Sequence, residues 1–328
     1  EFINIRVYHG ALVGLFVIGA GLSLLQTASN PYISILGPID SAAQRIAFMG
    51  ICNKAAGALA PFVFGALVLN GIDTLDQQVK AAPTAAARDV LLNSFAARVS
   101  WPYMVLAALL VLLAVWVVRS SLPEVKPAGA NDEHAIGHAR RSIFGFPHLW
   151  LGVLCLFLYV GVEVMAGDAI GIYGQGFGLP LDATKHFTSY TMLGMLLGYI
   201  VGLLVIPRFI SQQRYLAVSA VLGIAFAIGA YATHGYASVA FVAALGFANA
   251  MMWPAIFPLA IKGLGRHTEA ASALLIMGIV GGALIPQVFV HLKVYIDFQL
   301  AFLCVMAPCY LYILYYGLSG HRVGQAQS

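Results

Sequence analysis

The sequence predicts an all-α, polytopic membrane protein with nine hydrophobic spans. Of its 328 residues, 61% are hydrophobic and only 9% are charged, whereas roughly a quarter of the residues in soluble domains are charged. Apolar runs of about 20 residues, the length of a helix that crosses a bilayer, recur along the whole chain. These runs are too long for barrel strands and lack strict alternation, so helices are favoured over a β-barrel.

Glycine, proline and charged residues separate the runs and give each span its predicted limits. The spans are predicted near residues 9–36, 43–70, 101–119, 147–175, 187–208, 214–233, 236–262, 270–291 and 297–318. The stretch 71–100 is interpreted as a long loop. All four cysteines fall within apolar runs, so a disulfide framework is not expected.

The distribution of Lys and Arg between the two sides of the membrane indicates the orientation. Six of these residues share one side: Arg6, Lys80, Arg88, Arg98, Lys185 and Lys293. Ten share the side of the C-terminus: Arg45, Arg119, Lys126, Arg140, Arg141, Arg208, Arg214, Lys262, Arg266 and Arg322. We therefore expect a cytoplasmic C-terminus. The formal charge of +4 is explained by this topology, and no nucleic-acid partner is expected.

The segment 120–146 is polar, contains Pro, Gly and both charge signs, and is typical of a linker between two bundles. His134 and His138 stand four residues apart in it and could ligate a metal on a helix. The surrounding Gly and Pro argue against a helix, so a solvated linker is the preferred interpretation and no metal site is predicted.

An internal repeat relates the two sides of this linker. Gln26 precedes Pro31 by five residues, and Asn249 precedes Pro254 by the same spacing. The next spans also match, MGICNKAAGALAP against MGIVGGALIP. The order and spacing predict two related halves, with the first span as the fourth helix of a six-helix half. We therefore expect residues 1–119 to be the second half of an N-terminal bundle and residues 147–328 to be a complete C-terminal bundle, with three helices preceding residue 1.

Three charged residues, Lys54, Glu163 and Asp168, lie well inside the predicted spans. An ionised side chain at mid-bilayer costs about 3 kcal/mol on insertion scales, so each is expected to face a cavity, a partner or a substrate. The glycines near Glu163 and Asp168 predict a discontinuous helix. The alternatives are a structural carboxylate at Glu163 and a solvated helix end or cap at Asp168.

Lys54 lies too deep in the second span to reach the interface comfortably. It is interpreted as a counter-charge to Glu163 or to an acid in the preceding helices, and as a donor to a sugar hydroxyl. A purely structural ion pair is the alternative.

Neutral amides and two aromatic residues complete the predicted site. Gln26, Asn30, Asn53 and Asn249 offer the paired donors and acceptors that sugar hydroxyls need. Trp253, one turn after Asn249 on a helix, and Tyr173 could stack on a pyranose, although ordinary helix packing is the simpler explanation for either aromatic alone. We find no P-loop, HExxH, paired CxxC or GxSxG motif, so an enzyme is not predicted and no cofactor is expected.

Two runs carry a resemblance to a known family. The run LLQTASNPYISILGP, followed by Arg45 and Asn53, and the run from Pro254 to Pro286, PAIFPLAIKGLGRHTEAASALLIMGIVGGALIP, resemble the fucose:proton symporter family of the major facilitator superfamily. The glucose/galactose and N-acetylglucosamine branches are the most similar. The resemblance covers the chain from the family's fourth helix to its twelfth, and implies nine of twelve helices in two bundles with alternating access.

The resemblance also implies roles for individual residues. The family has a membrane Glu where this chain has Gln26, which can bind a hydroxyl but cannot titrate. Asn53 matches a family Asn, whereas Gly50 stands where the family has Gln and Lys54 where it has a small polar residue. The family's other coupling carboxylate lies on its first helix, which precedes this chain.

Together these observations predict a sugar:cation symporter of the bacterial inner membrane that imports a neutral hexose such as glucose or galactose. The coupling ion is expected to be H⁺, with Na⁺ as an alternative, and the chain is expected to be a monomer in the lipid bilayer. Two alternatives stay open: an N-acetylglucosamine permease of the same family, and a non-transporting sensor or scaffold with a transporter fold.

Overall fold

The protein was analysed as a computed structural model that describes residues 8–38, 41–68, 78–120, 142–180, 184 and 186–325. Nearly all of the described chain is helical. The first three long helices are α1 (Tyr8–Ile35), α2 (Ala42–Val68) and α3 (Ala85–Arg119). Most of the predicted linker, including His134 and His138, lies outside the described residues.

Helix α3 begins earlier than the sequence predicts. The expected loop 71–100 contains an alanine-rich stretch that favours helix, and α3 runs without interruption from Ala85 to Arg119, through Pro102. Thr84 caps its start, since the threonine side chain accepts a hydrogen bond from the Ala87 backbone N–H at 3.2 Å. The predicted start of the third span at residue 101 is therefore wrong as a helix boundary.

The remaining helices follow the linker. A short 3₁₀ turn, Ile143–Gly145, precedes them. They are α4 (Pro147–Gly167), α5 (Ile170–Gln175), α6 (Phe187–Val205), α7 (Gln212–Ala232), α8 (Gly235–Asn249), α9 (Met252–Ile261), α10 (Thr268–Met277), α11 (Gly281–Leu292) and α12 (Phe298–Leu318).

Eight helical segments among the described residues are long and apolar enough to cross a membrane. They coincide with eight of the nine predicted spans. The remaining predicted span, 43–70, coincides with α2, whose last side chains lie outside the described set. The multi-span helical architecture is thus confirmed, and the count of nine stays a prediction.

Two of these segments consist of two consecutive helices, and a third, α4, is followed directly by the short helix α5. Helix α4 passes into α5 at Asp168–Ala169, α8 passes into α9 at Ala250–Met251, and α10 passes into α11 through the 3₁₀ turn Gly278–Val280. The discontinuity predicted between Glu163 and the following glycines is confirmed.

Hydroxyl groups satisfy the backbone at the first of these breaks. Thr188 Oγ1 donates to the Gly167 carbonyl and Thr191 Oγ1 donates to the Ala166 carbonyl, each at 2.9 Å. An interrupted helix is tolerated inside a bilayer only where neighbouring groups take up the freed carbonyls. Helix α6, which carries both threonines, therefore stabilises the break between α4 and α5.

Glycines let the helices of the C-terminal half approach closely. A Cβ at Gly246 on α8 would collide with the Thr191 carbonyl of α6, and a Cβ at Gly281 on α11 would collide with the Phe157 carbonyl of α4. Such small-residue contacts are typical of packed membrane helices. They bring α6 against α8 and α11 against α4 at backbone distance.

The contacts divide the chain into two compact units. One comprises residues 1–25 and 56–124, and the other comprises residues 26–55 and 125–328. The second unit holds the main hydrophobic core, which includes Leu149, Phe257, Phe302 and Tyr316, all at most 1% exposed. The predicted division at the linker stays a proposal.

Candidate functional site

An ion pair joins α2 to α4 within the second unit. Lys54 Nζ on α2 donates to Glu163 Oε1 on α4 at 2.7 Å, and the two side chains are 18% and 19% exposed. This is the counter-charge arrangement that the sequence offered as one interpretation of Lys54. Because both groups keep some exposure, water or a polar ligand can reach a pair that is otherwise surrounded by protein.

Helix periodicity places Tyr159 beside this pair. Tyr159 precedes Glu163 by four residues on α4, so both side chains lie on one face of the helix. The Tyr159 ring is fully buried, and its hydroxyl lies near the Glu163 carboxylate but outside hydrogen-bonding geometry. A buried hydroxyl without a partner is uncommon in folded proteins and requires an explanation, such as a polar group that binds there in another state.

A second unpaired donor lies at the end of α8. Asn249 is fully buried and accepts a hydrogen bond from the Tyr310 hydroxyl of α12 at 2.8 Å through its Oδ1. Its Nδ2 has no hydrogen-bond partner among the residues that the structure describes. Tyr310 and Tyr159 both lie within electrostatic range of Glu163. We refer to Lys54, Glu163, Tyr159, Asn249 and Tyr310 as the ion-pair cluster.

Trp253 adds an aromatic wall to the ion-pair cluster. Its ring centroid lies 6.5 Å from that of Tyr159, and it stacks on Phe257 at 6.3 Å with an interplanar angle of 17°. The side chain is half-buried. An indole with a partly free surface next to polar groups suits a ligand with one apolar face and several hydroxyls.

The amides of α1 and α2 are arranged differently from Asn249. Asn30 is 2% exposed, its Nδ2 donates to the Gln26 carbonyl at 3.0 Å, and its Oδ1 is buried without a partner. Gln26 is half-buried and Asn53 is exposed. Within the described part of the chain, no hydrogen bond joins these three side chains to Lys54 or Glu163, so their predicted roles stay predictions.

Asp168 lies at the end of α4 rather than inside a continuous span. It is the C-cap residue of that helix and is exposed. Its carboxylate is close enough to Glu163 and Lys54 to interact with both electrostatically. The position of Asp168 agrees with the helix end or cap that the sequence offered as the alternative, and its predicted role in the charged site stays a prediction.

Tyr173 belongs to a different polar cluster. Its hydroxyl hydrogen-bonds with Ser238 Oγ at 2.7 Å and donates to the Ala230 carbonyl at 3.3 Å. Gln299 Nε2 donates to the carbonyls of Ala230 at 2.8 Å and Thr233 at 2.7 Å. We refer to Tyr173, Ser238 and Gln299, with these carbonyls, as the Gln299 network.

Aromatic packing closes the Gln299 network. The Tyr173 ring is 1% exposed and lies 4.8 Å from the ring of Phe302 and 5.4 Å from that of Phe298. Both the hydroxyl and the ring therefore already have protein partners. The structure does not bring Tyr173 to the ion-pair cluster, and its predicted stacking on sugar lacks a free surface.

The sequence interpretation missed three tyrosines that surround the ion pair. Tyr159 could have been found from its four-residue spacing to Glu163. Tyr310 on α12 and Tyr199 on α6 carry no local signal, because only tertiary packing brings them close to Glu163.

The chain matches the model of the Major Facilitator Superfamily over residues 5–286. It is 34% identical to a glucose/galactose transporter of Brucella abortus over 321 residues, which are 97% of this chain and 73% of that protein. It is 28% identical to the L-fucose-proton symporter of Escherichia coli over 88% of this chain and 66% of that protein.

The fold matches a solved transporter structure. A crystal structure of the transporter FucP in the outward conformation superposes with a TM-score of 0.82 at 24% identity and covers 100% of this chain and 78% of that one. The resemblance drawn from the two sequence runs is therefore confirmed. These homologues are transporters and not enzymes.

Proposed function

The chain belongs to the major facilitator superfamily, and we propose that it is a symporter that imports a neutral hexose together with a cation. Relatives named glucose/galactose transporter and L-fucose-proton symporter support a sugar as the substrate. Glucose or galactose is the proposed hexose, carried by alternating access between the two sides of the membrane.

The ion-pair cluster is the observation that carries this proposal. Among the described residues it combines a charged pair, two buried donors that lack a hydrogen-bond partner in this geometry, and an indole next to one of them. Hexose hydroxyls both donate and accept hydrogen bonds, so they can satisfy Asn249 Nδ2 and the Tyr159 hydroxyl. The apolar face of the pyranose can lie against Trp253. A site of this composition favours a neutral polyol over an anion or an apolar drug.

Glu163 is the proposed coupling residue. It is an ionisable group inside a membrane span, and such groups commonly mark ion and proton pathways in transporters. H⁺ is therefore the proposed coupling ion. Lys54 holds the ionised form, and Asp168 adds negative charge nearby.

The other proposed sugar contacts differ in the structural support that they have. Asn249 and Trp253 have the strongest support, because they lie at the ion-pair cluster. Gln26, Asn30 and Asn53 are proposed to complete the site from α1 and α2. Tyr173 has the weakest support, since its hydroxyl already bonds within the Gln299 network.

We also propose the membrane arrangement. The chain supplies helices 4 to 12 of a twelve-helix transporter in the bacterial inner membrane, with residues 120–146 and the C-terminus on the cytoplasmic side. The excess of Lys and Arg on that side supports this orientation. The transporter is proposed to work as a monomer.

Uptake of labelled sugar tests the substrate. The gene, read with any in-frame sequence upstream of residue 1, is expressed in a bacterial strain that lacks its own hexose carriers. Accumulation of glucose or galactose that collapses with a protonophore is expected. Uptake of N-acetylglucosamine alone would reassign the substrate, and uptake of none of the three sugars would favour a sensor or scaffold.

The substitution Glu163→Gln tests coupling. Because glutamine keeps the shape of the side chain but cannot ionise, accumulation against a gradient is expected to disappear while exchange of labelled sugar across the membrane continues. Glu269→Gln is the matched control, since Glu269 is an exposed carboxylate in the first turn of α10. Accumulation by Glu163→Gln at the level of Glu269→Gln would show that Glu163 is structural.

A further inference from the structure

The beginning of α2 packs tightly against the end of α6. Ala43 and Ala47 on α2 are fully buried in a small cluster that includes Met195, Tyr199 and Ile206 of the α6 segment. Small side chains on α2 allow this close approach. The two helices form an apolar seam on the side of the ion pair nearer to the start of α2.

A side-chain hydrogen bond holds the outer end of this seam. Gln44 Nε2 donates to the Leu203 carbonyl at 3.0 Å, and this bond joins α2 to the last turn of α6. One polar bond at the end of an otherwise apolar contact fixes the register of the two helices but adds only about 1 kcal/mol to their association in a membrane. The contact therefore has a defined register, and α2 and α6 can still separate at a low cost in free energy.

The Tyr199 ring packs directly against Gly50, at the end of the seam nearer to the ion pair. A Cβ on Gly50 would lie 2.8 Å from Tyr199 Cε1 and Cζ and 3.0 Å from its hydroxyl oxygen. Real Cβ atoms do not approach aromatic carbons this closely, so a side chain at position 50 must displace the ring. Tyr199 is 4% exposed in this position.

The seated ring lies next to the ion pair. Lys54 follows Gly50 by four residues, so both point from the same face of α2. Glu163, the partner of Lys54, interacts electrostatically with the Tyr199 hydroxyl. No hydrogen bond to that hydroxyl is recorded within the described residues. Packing therefore holds the ring in place, against Gly50 on one side and against the apolar residues of the seam, such as Ala47 and Met195, on the other.

We infer that Tyr199 is the gating residue of the transport path. In the closed state its ring packs against Gly50. With the ring on Gly50, the ion-pair cluster is shut off from the side that the proposed orientation makes cytoplasmic. When α2 and α6 separate, the ring leaves Gly50 and sugar escapes past Ala47 and Ala43. This inference rests on the proposed transport function for its substrate, but the closure itself can be measured without any sugar.

Thiol labelling measures the closure. Ala47→Cys is introduced into a chain whose four native cysteines are replaced by alanine, and a water-soluble maleimide is applied to the purified protein. Slow labelling is expected with Tyr199 in place. Tyr199→Ala is expected to raise the labelling rate about tenfold or more. Residue 47 becomes accessible when the helices separate locally, and without the buried ring this separation costs less free energy.

Four further variants separate gating from general damage to the fold. Gly50→Ala is expected to speed labelling like Tyr199→Ala, since the added Cβ displaces the ring. Gly57→Ala is the matched control on the same helix, because a Cβ there meets nothing within 4 Å. Tyr199→Phe keeps the ring and is expected to stay protected. The double variant Gly50→Ala/Tyr199→Ala is expected to label no faster than Tyr199→Ala alone.

Transport gives an independent measurement in the same variants. Tyr199→Ala is expected to keep downhill sugar entry and lose accumulation, because a gate that no longer closes lets sugar leak back. A structural role alone would lower both activities in proportion to the folded protein. If Tyr199→Ala fails to fold, Gly50→Ala carries the test with the tyrosine intact.

The outcomes distinguish this inference from the proposed function. Equal labelling rates in the parent chain, Tyr199→Ala and Gly50→Ala would overturn the gate even if sugar is accumulated. The expected labelling pattern without any sugar uptake would overturn the proposed function and leave the gate intact.

Discussion

The ion-pair cluster and the Gln299 network are both polar groups buried in membrane helices, but their hydrogen bonding differs. In the Gln299 network, the Gln299 amide, the Ser238 hydroxyl and the Tyr173 hydroxyl all bond to protein partners. In the ion-pair cluster, Tyr159 and Asn249 each retain a buried atom for which the described part of the chain supplies no partner. Protein groups therefore satisfy the Gln299 network, whereas the ion-pair cluster keeps two buried polar atoms that a ligand could satisfy.

This difference shows how to separate structure from function among buried polar residues. A satisfied network stabilises the fold and gains nothing from a ligand. A group left unpaired costs free energy in the empty protein, and a ligand recovers that free energy on binding. Residue type alone, tyrosine or amide, does not distinguish the two cases.

The most severe test removes the charge partner in the ion-pair cluster. Lys54→Ala leaves Glu163 without a counter-charge, so a loss of unfolding free energy somewhat below the roughly 3–5 kcal/mol of a fully buried pair is expected. The midpoint of thermal unfolding in detergent measures it. The double variant Lys54→Ala/Glu163→Gln is expected to recover most of the loss, and Lys262→Ala, at an exposed lysine, is the control. A double variant no more stable than Lys54→Ala would mean that charge is not the cause.

Gln299→Ala tests whether the Gln299 network is structural. The change removes two hydrogen bonds of the Gln299 side chain. One joins it to the Thr233 carbonyl at 2.7 Å, and the other joins it to His234 Nδ1 at 3.0 Å. A loss of about 1–3 kcal/mol of unfolding free energy is expected, with the sugar KM unchanged. Gln213→Ala removes an amide of the same size whose side chain makes no hydrogen bond to any described residue, and this change should leave the stability unchanged. A changed KM with normal stability would move the Gln299 network into the substrate path.

The smallest expected effect distinguishes two tyrosines. Tyr173→Phe deletes a hydroxyl in the Gln299 network and should cost about 1 kcal/mol of stability without changing the sugar KM. Tyr310→Phe deletes a hydroxyl that holds Asn249 in the ion-pair cluster, so the KM is expected to rise several-fold. Sugar uptake at graded concentrations measures both. Should Tyr173→Phe raise the KM as much as Tyr310→Phe, Tyr173 is a sugar contact and the contrast between the clusters fails.

Much of the fold could be predicted because the bilayer imposes strong local constraints. Span positions follow from hydrophobic run length, and the break between α4 and α5 follows from the glycines after Glu163. The early start of α3 was missed, since Arg88, Asp89 and Arg98 made the segment look like a loop although its alanines and Thr84 cap favour helix.

The site was predicted less completely because its chemistry depends on tertiary contacts. The cost of burying Lys54 and Glu163 marks them in the sequence, and the structure pairs them. Tyr310 and Tyr199 cannot be identified in this way, since a tyrosine in an apolar helix is ordinary. Tyr173 was assigned to sugar for its ring, and only the structure shows that Ser238 already holds its hydroxyl.

Arg45 on α2 links the start of that helix to the end of α1, so a movement of α2 is transmitted to α1. Its guanidinium donates to the carbonyls of Ile33, Ser34, Gly37 and Pro38 at the end of α1, and to the hydroxyl of Ser41, at 2.6–3.2 Å. A planar group with five donors is suited to collecting several carbonyls in this way, and the three donors of a lysine ammonium could not replace it. These hydrogen bonds hold the end of α1 and the start of α2 together, so the two segments are expected to move as one rigid unit. If α2 moves away from Tyr199 as proposed, Gln26 and Asn30 on α1 are expected to move with it, which would link opening of the proposed gate to the proposed sugar contacts on α1.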